Sequence, residues 1–458
     1  MSDKKLIIEH QVVIETQSQQ IKKLEARVLE LLEVIQKMWV KKDSHNSSLA
    51  PSSDLFTEKN KSLRTKSNRP SGGQIGHKGD TLEMNALPDK VIELKSDFCS
   101  RCGSSTLDTS QVLKSIRQVV EIPPIVPIYE EYQQFSCQCK NCGHHQVAEF
   151  PEAVKAPIQY GSSVATLVSY LSIYQSVPYN RLKKMFSQVY SLPLSEGTIN
   201  NILIRVAGSC EVVYQQIKSN IVEAKIIGSD ETGVKVDGSK WWIWVWQNIQ
   251  NTFIVPSENR GFQTINSIFA DGFLNATLIS DRWAAQLKTY AQNHQLCLAH
   301  LLRELNFLEE LEQNPFSTKF KTLIDAVFEL KRVQKTQNIA TKIDSDVAKT
   351  LENQLNESLS MIIDEEKYPK TSIFQLSMIK NRNYILPCIY NSEIPADNNA
   401  SERAIRIIKV KQKVSGQFKT GQHSYCVIRS VIDTLIKRNL EVIHHLRAII
   451  KANIILPE

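Results

Sequence analysis

The chain of 458 residues is predicted to form two to four domains, since one domain usually takes roughly 100–200 residues. Its 55 Lys and Arg against 48 Asp and Glu give a net charge of +7, which favours polyanionic partners without identifying one. No stretch approaches the roughly 18 apolar residues of a membrane span, and the first residues show no secretory signal. A membrane protein is therefore excluded and a cytoplasmic location is expected. The nine cysteines indicate metal ligands or buried thiols rather than a disulfide framework.

A heptad register marks residues 1–42. Ile or Val recurs at every seventh position, with Leu or Met three residues further on: Ile7, Ile14, Ile21, Val28 and Ile35, then Leu24, Leu31 and Met38. β-Branched residues at the first position with Leu at the second favour two parallel helices. We therefore predict a dimerising coiled coil. The alternative is a solitary amphipathic helix docked on the rest of the protein.

Residues 43–85 are predicted to be a flexible basic linker, because Ser, Asn, Gly and Lys replace apolar anchors there. Between 55 and 80, six basic residues stand against two acids: Lys59, Lys61, Arg64, Lys66, Arg69 and Lys78. Such an arm either lies along DNA phosphates or is merely solvated.

Residues 86–150 contain two CxxCG motifs, whose cysteines are Cys99, Cys102, Cys139 and Cys142. A CxxC turn points both sulfurs at one centre, and four thiolates in two such turns make a closed tetrahedral zinc site. We therefore predict a structural zinc ribbon with strands between the motifs. A redox CxxC pair is one alternative. Another is a substitute ligand from the residues nearby: Cys137, His144 or His145.

Short helical segments separated by Pro178 and Pro193 predict a helix-turn-helix-like, DNA-binding unit over 151–220, with Ser195 able to cap its last helix. Three basic residues offer phosphate contacts: Arg181, Lys183 and Lys184. A small helical linker without DNA contacts would have the same pattern.

From residue 221 the periodicity becomes strand-like. Two strands joined at the favoured turn Asp237-Gly238, a third strand, a helix and a fourth strand make a βββαβ run within 221–311. Four tryptophans of the second strand are predicted to pack in the core, with base stacking as the minor alternative: Trp241, Trp242, Trp244 and Trp246.

Three acids are candidates for metal ligands. Asp230 lies in or just after the first strand, and Asp281 follows the fourth, which we expect to pair with the first in parallel. Glu402 lies in the first turns of a further helix, capped by Asn398 or Asn399. Such carboxylates suit a pair of Mg²⁺ or Mn²⁺ ions, which promote phosphodiester cleavage and transfer. Each acid alone is weak evidence, but their order predicts a ribonuclease-H-like arrangement.

Several segments resemble the insertion sequence 66 family of DDE transposases: SDETGVKV, ISDRWAAQL, CLAHLLREL, NNASERAIRIIKVKQKVSGQFKT, NSSLAPSSD, RPSGGQIGHKG and SLPLSEGTINN. The resemblance runs from about residue 20 to 440. It implies a multidomain α/β protein in which Asp230, Asp281 and Glu402 are the catalytic triad. The ribonuclease-H-like core would be interrupted by a helical insertion over 312–395 and completed, with C-terminal helices, over 396–458.

The implied reaction cuts DNA at the element ends and then joins the freed 3′-hydroxyl to target DNA, without a covalent enzyme intermediate. Five basic residues after the triad glutamate are predicted to contact DNA: Arg403, Arg406, Lys409, Lys411 and Lys413. A structural or positioning role is expected for three more residues: Cys297, His300 and Arg303. Strand alternation is expected to turn Glu231 away from Asp230.

The predicted function is thus DNA transposition in a prokaryotic cytoplasm, with two Mg²⁺ or Mn²⁺ ions and a structural Zn²⁺ as cofactors. Its partners would be element terminal repeats, target DNA, a second copy of the chain and small accessory proteins. Two alternatives stay open: a metal-dependent DNA nuclease, and a non-catalytic DNA-binding protein derived from a transposase.

Overall fold

The structure is a computed structural model that describes residues 3–40, 42, 46, 47, 76, 82–337 and 345–452. The six basic residues of the predicted linker lie outside this part of the chain: Lys59, Lys61, Arg64, Lys66, Arg69 and Lys78. Over the described ranges, no helix has both the length and the apolar character of a membrane span.

The N-terminal helix α1 spans Asp3–Trp39. Six residues of the heptad seam are exposed to solvent: Ile14, Ile21, Leu24, Val28, Leu31 and Ile35. A helix docked on the rest of the chain would bury these side chains, so their exposure disfavours the docked alternative. The coiled coil itself stays a prediction.

Residues 82–161 contain little regular structure. Two short strands, β1 Ser136–Gln138 and β2 His145–Val147, form an antiparallel hairpin around the second CxxCG motif. The strands predicted between the two motifs are otherwise absent, because 110–135 contains no paired strand. No residue from 82 to 161 is buried, so local turns rather than a hydrophobic core shape this region.

A five-stranded sheet in the order β5-β4-β3-β6-β7 organises the remaining chain. Its strands are β3 Ile226–Val236, β4 Ser239–Gln247, β5 Thr252–Ser257, β6 Phe273–Ser280 and β7 Ala291–Leu296. The first three pair antiparallel, whereas β6 pairs in parallel with β3 and β7. Asp237 and Gly238 turn the chain with φ of 45° and 77°, as a type I′ hairpin requires, so this predicted turn is confirmed. Helix α5 Phe262–Ile268 links β5 to β6.

One face of the sheet is covered by helices that precede the strands along the chain and by helices that follow them. They are α2 Ser162–Ser169, α3 Tyr179–Val189, α4 Glu196–Val222, α12 Asn399–Ser415, α13 Gln422–Lys437 and α14 Val442–Ala452. A π-helical turn, Tyr170–Tyr174, continues α2. The Ser195 hydroxyl caps α4 by accepting the Thr198 N–H at 3.0 Å, which confirms that prediction. These helices share one hydrophobic cluster with Trp244 and Trp246, so 151–220 has no separate core of its own.

The opposite face carries a second hydrophobic cluster. Leu278 of β6 belongs to the first cluster and Ile279 to the second, because successive side chains of a strand point to opposite faces. Short helix α6, Ala284–Lys288, follows β6. The second cluster is formed by α7 Leu298–Glu312, α8 Pro315–Gln337, α9 Ser345–Leu359, α10 Pro369–Lys380 and α11 Pro387–Tyr390. The described part of the predicted insertion is therefore helical and packs directly on the sheet.

Candidate active site

Asp230 and Asp281 are neighbours because β3 and β6 run in parallel. Gly228 pairs with Ile279, which places Asp230 beside Asp281, the first residue after β6. Carboxylate oxygens of Asp230, Glu231 and Asp281 lie within 4.8 Å of one another. The expectation that Glu231 lies away from Asp230 is therefore wrong: alternation fixes the direction of Cβ, but a glutamate side chain is long enough to bring its carboxylate back to this group.

Burial and mutual repulsion shift these carboxyl groups towards the neutral form. Burial raises the pKa of Asp230 well above its usual value, and Asp281 raises it further. Burial likewise raises the pKa of Asp281 to about 7, with Glu231 adding to the shift. Among the described residues, the buried Asp281 Oδ1 has no hydrogen-bond partner. Repelling carboxylates with an unpaired oxygen fit a divalent cation, which would offset their charge.

Arg260 neutralises Glu231, and no sequence motif identifies it. Its Nη2 and Nε lie 2.6 and 2.7 Å from Glu231 Oε1. Gln286 donates its Nε2 to Glu231 Oε2 at 3.1 Å. The guanidinium carbon lies 3.8 Å from the ring centroid of Trp283 and 4.7 Å from that of Trp242, so the cation is held against both indoles. Glu231 is thereby fixed beside the two aspartates.

Glu402, in the first turn of α12, is held by Arg303 of α7. Arg303 Nη1 and Nη2 donate to Glu402 Oε1 and Oε2 at 3.1 and 3.3 Å. Burial by itself would raise the pKa of Glu402, but the hydrogen bonds and charge of Arg303 outweigh it and lower the pKa. Glu402 is therefore kept ionised, whereas the pKa values of the two aspartates are raised.

His300 lies between the aspartates and Glu402. Its Nε2 is 3.8 Å from Asp281 Oδ2 and 3.6 Å from Glu402 Oε1. Burial lowers the pKa of His300 to about 4 although Glu402 opposes the shift, so the imidazole is neutral at pH 7 and these contacts are not ion pairs. Cys297, His300 and Glu402 form a second group with ligand atoms within 4.8 Å. The three predicted carboxylates thus belong to two adjacent groups linked by His300.

A buried polar network fixes α12 against β3. Asn398 Nδ2 donates to Ser229 O at 2.8 Å, and Ser401 Oγ donates to Asn398 Oδ1 at 2.6 Å. The Asn398 backbone N–H donates to Cys297 Sγ at 3.1 Å. Asn398 occupies the N-cap position without capping the helix through its side chain, which corrects the predicted cap. A Cβ on Gly228 would lie 2.6 Å from both Asn398 Oδ1 and Ser401 Oγ, so a glycine is needed for this close approach.

The basic residues that follow on α12 differ in accessibility. Three of the five predicted DNA contacts are exposed: Arg403, Arg406 and Lys413. Lys409 instead donates to Gly233 O at 2.8 Å. Lys411 is buried, with its ammonium 5.6 Å from the Tyr179 ring, and burial lowers its pKa to about 8. The prediction of phosphate contacts is therefore not supported for Lys409 and Lys411, because one side of this helix packs on the core.

The two CxxCG motifs form matching turns. Gly103 N–H donates to Cys99 O at 2.9 Å, and Gly143 N–H donates to Cys139 O at 2.8 Å. Both glycines have a φ of 72°, which L side chains rarely adopt. The residue types and the turn geometry therefore fit two zinc knuckles.

The knuckles are not brought together, however. In the first knuckle, hydrogen bonding from Ser104 lowers the pKa of the Cys102 thiol to about 7, which favours the metal-binding thiolate. Yet between residues 82 and 161 no three Cys or His ligand atoms lie within 4.8 Å of one another. The predicted four-sulfur site is thus not assembled in this structure. Its four members are Cys99, Cys102, Cys139 and Cys142. No buried side chain draws the knuckles together, and assembly of such sites is usually coupled to metal binding.

Comparison with known proteins gives three matches along the chain. A family model described as Transposase IS66 family matches residues 157–424, more than half of the chain and the whole set of candidate carboxylates. The zinc-finger binding domain of transposase IS66 matches residues 96–143, and a family of unknown function matches residues 4–83. No curated protein matches the chain.

Proposed function

Because the chain belongs to the IS66 family of transposases and is therefore a DNA transposase, we propose that Asp230, Asp281 and Glu402 are its catalytic carboxylates. One observation carries the proposal above all. Asp230 and Asp281 meet where two adjacent parallel strands bring them together, and burial and repulsion from neighbouring carboxylates raise both pKa values. Glu402 lies on a helix that a polar network fixes against the same strand.

The sheet supports a ribonuclease-H-like core. Three antiparallel strands are followed by two parallel ones, and the aspartates lie on the first strand and after the fourth. Helices cover both faces. These features support the ribonuclease-H-like architecture that the order of the acids predicts.

Two Mg²⁺ or Mn²⁺ ions are the cofactors that the acids suit. Asp230, Asp281 and Glu402 would hold them, and Glu231 lies close enough to join. Hard cations of this kind prefer oxygen donors. When bound, they activate an attacking oxygen and stabilise the leaving one in phosphodiester cleavage and transfer.

The neighbouring residues position these acids and exclude water. Arg303 orients Glu402 by engaging both of its oxygens. The neutral His300 packs between the acids, with Nε2 3.8 Å from Asp281 Oδ2 and 3.6 Å from Glu402 Oε1. Cys297 accepts the Asn398 N–H and so holds the start of α12. Burial raises the pKa of Cys297 to about 12, which makes it a packing and hydrogen-bonding group and not a nucleophile.

DNA would approach along the exposed side of α12 through Arg403, Arg406 and Lys413. The substrates would be element terminal repeats and target DNA, in the cytoplasm and with small accessory proteins. The exposed seam of α1 would pair two copies of the chain. The zinc finger would add a structural Zn²⁺.

A strand-transfer assay tests this function. Purified protein, labelled element ends, a target plasmid and Mg²⁺ or Mn²⁺ are combined, and the products are separated under denaturing conditions. Joined products support transposition. Cut ends without joining would favour a nuclease, and retarded but intact ends would favour a binding protein.

A further inference from the structure

A groove of about 970 Å³ opens beside Asp281 and extends away from the carboxylates. Its lining comes mainly from three elements: the segment after β6 with α6, helix α7 and helix α10. Helices α7 and α10 belong to the second hydrophobic cluster, whereas α12 packs on the first. No residue of α12 lines the groove, so the groove is distinct from the DNA contacts proposed on that helix.

Positive charge dominates the lining of this groove. Lys288, Lys370 and Lys380 are exposed, and their side chains make no ion pair within the described ranges. Apart from Asp281, the acid in the lining is Glu304. Arg282 neutralises it by donating Nη2 to the two carboxylate oxygens at 2.9 and 2.8 Å. Three uncompensated lysines are thus left to face an anionic ligand.

Between the charges, the groove also exposes apolar side chains. Ile373 is 68% exposed, whereas Leu301, Leu308 and Phe374 are buried beneath the groove surface. Trp283 lies two residues from Asp281 and is 36% exposed. Its Nε1 donates to Arg260 O at 3.2 Å, which fixes the orientation of the indole ring.

We propose that this groove binds a single-stranded stretch of DNA that leads to Asp281. The phosphates lie on Lys288, Lys370 and Lys380, and bases contact Trp283 and Ile373. A duplex also presents phosphates, but it keeps its bases stacked and would leave Trp283 and Ile373 without a base to contact. A single strand offers both phosphates and base faces. The inference rests on the proposed function, because that function brings DNA strands to Asp281.

Fluorescence anisotropy tests the groove with the full-length, zinc-loaded protein and no added Mg²⁺ or Mn²⁺. The probes are a labelled oligothymidylate of about 16 nucleotides and a labelled duplex of equal length. Lys370→Gln combined with Lys380→Gln is expected to weaken single-strand binding roughly tenfold and to reduce its salt slope by about 1.4. Duplex binding should change less than about twofold, because α12 carries it.

The matched control is Lys225→Gln combined with Lys335→Gln. It removes the same charge from two exposed lysines outside the groove and should leave single-strand binding unchanged. As a direct readout on the unmodified protein, an oligothymidylate carrying 5-iodouracil is irradiated, and the cross-linked peptide is identified by mass spectrometry. We expect the cross-link at Trp283, and Trp283→Leu should remove it.

Three results would overturn the groove proposal: unchanged single-strand binding by the groove variant, equal losses for single strand and duplex, or a cross-link outside the groove. Cleavage of element ends by the wild-type protein is measured in parallel. Normal cleavage with failed groove binding leaves the catalytic assignment standing. Absent cleavage with intact groove binding contradicts the catalytic assignment alone.

Discussion

Residues 82–161 and the described residues from 162 to 452 hold their functional groups in different ways. In the first region no residue is buried, and turn hydrogen bonds alone shape the two CxxCG knuckles. In the second, two hydrophobic clusters enclose one sheet, and packing brings the carboxylates together. Packing can preorganise a site before its metal binds, whereas a site made of exposed turns relies on the metal to assemble it.

Removing an acid from the core tests whether its packing and its chemistry are separable. Asp281→Ala should reduce cleavage and strand transfer by roughly 10³-fold or more, while binding of element ends in a mobility-shift assay is unchanged. The melting temperature should not fall, because the substitution relieves repulsion with Asp230. Asp271→Asn, at an exposed position before the opposite end of β6, is the control. Equal loss of end binding would identify Asp281 as a fold residue.

Removing a thiol from the first region should have the converse effect. Cys139→Ser is expected to lower the zinc content by one equivalent and to make residues 82–161 sensitive to protease, while the thermal unfolding of the core is unchanged. Elemental analysis and limited proteolysis provide the measurements. Cys137→Ser, at a neighbouring exposed thiol, should retain the zinc. A lower melting temperature of the core in Cys139→Ser would show that the two regions are not independent.

A methyl group at a glycine measures how closely the core is packed around its site. Gly228→Ala would bring Cβ to 2.4 Å from Gln247 Nε2, so we expect a loss of about 1–3 kcal/mol in the free energy of unfolding. Slower cleavage should accompany it, because α12 carries Glu402. Gly208→Ala is the control, since the added Cβ meets nothing within 4 Å. This substitution should stabilise α4 by about 0.5–1 kcal/mol. Denaturant unfolding that gives equal stability for both variants would contradict the close approach.

The smallest effects are expected from the basic side chains of α12. Arg406→Gln should weaken DNA binding severalfold and lower the salt slope by about 1, because Arg406 is exposed. Lys411→Met should leave DNA affinity unchanged and keep or raise stability, because it replaces a buried charge by an apolar chain of similar length. Anisotropy over a range of salt concentrations separates the two. Similar salt slopes for the two variants would contradict the assignment of an inner and an outer side to α12.

The net charge of residues 401–440 does not show how much of that charge reaches the protein surface. Residues 401–440 carry nine Lys and Arg against two acids, a net charge of +7. This equals the net charge of the whole chain and suggests a strongly basic surface. In the fold, Lys411 is buried, Arg429 pairs with Asp433 at 2.5 Å, and Lys437 donates to Asn248 O at 2.6 Å. Only part of this charge therefore faces solvent, because several cations satisfy core acceptors.

The elements that depend on near neighbours could be predicted from the sequence. The hairpin at Asp237-Gly238 and the Ser195 cap follow from backbone preferences within a few residues. The parallel pairing that joins Asp230 to Asp281 followed from the order of strands around one crossover helix. Arg260, Gln286 and the long side chain of Glu231 gave no such signal, because their contacts link residues far apart in the chain.

The sequence by itself determined the family, the strand pattern and which acids are candidates, since these are properties of residue type and local spacing. Only the tertiary structure decided that Arg303 binds Glu402 beside His300, that Asn398 anchors a helix rather than capping it, and that a lysine-lined groove leads to Asp281. The physical reason is that burial and charge pairing arise when distant segments pack together. The zinc knuckles are the opposite case. The local sequence forms each turn, whereas metal binding is expected to bring the two turns together.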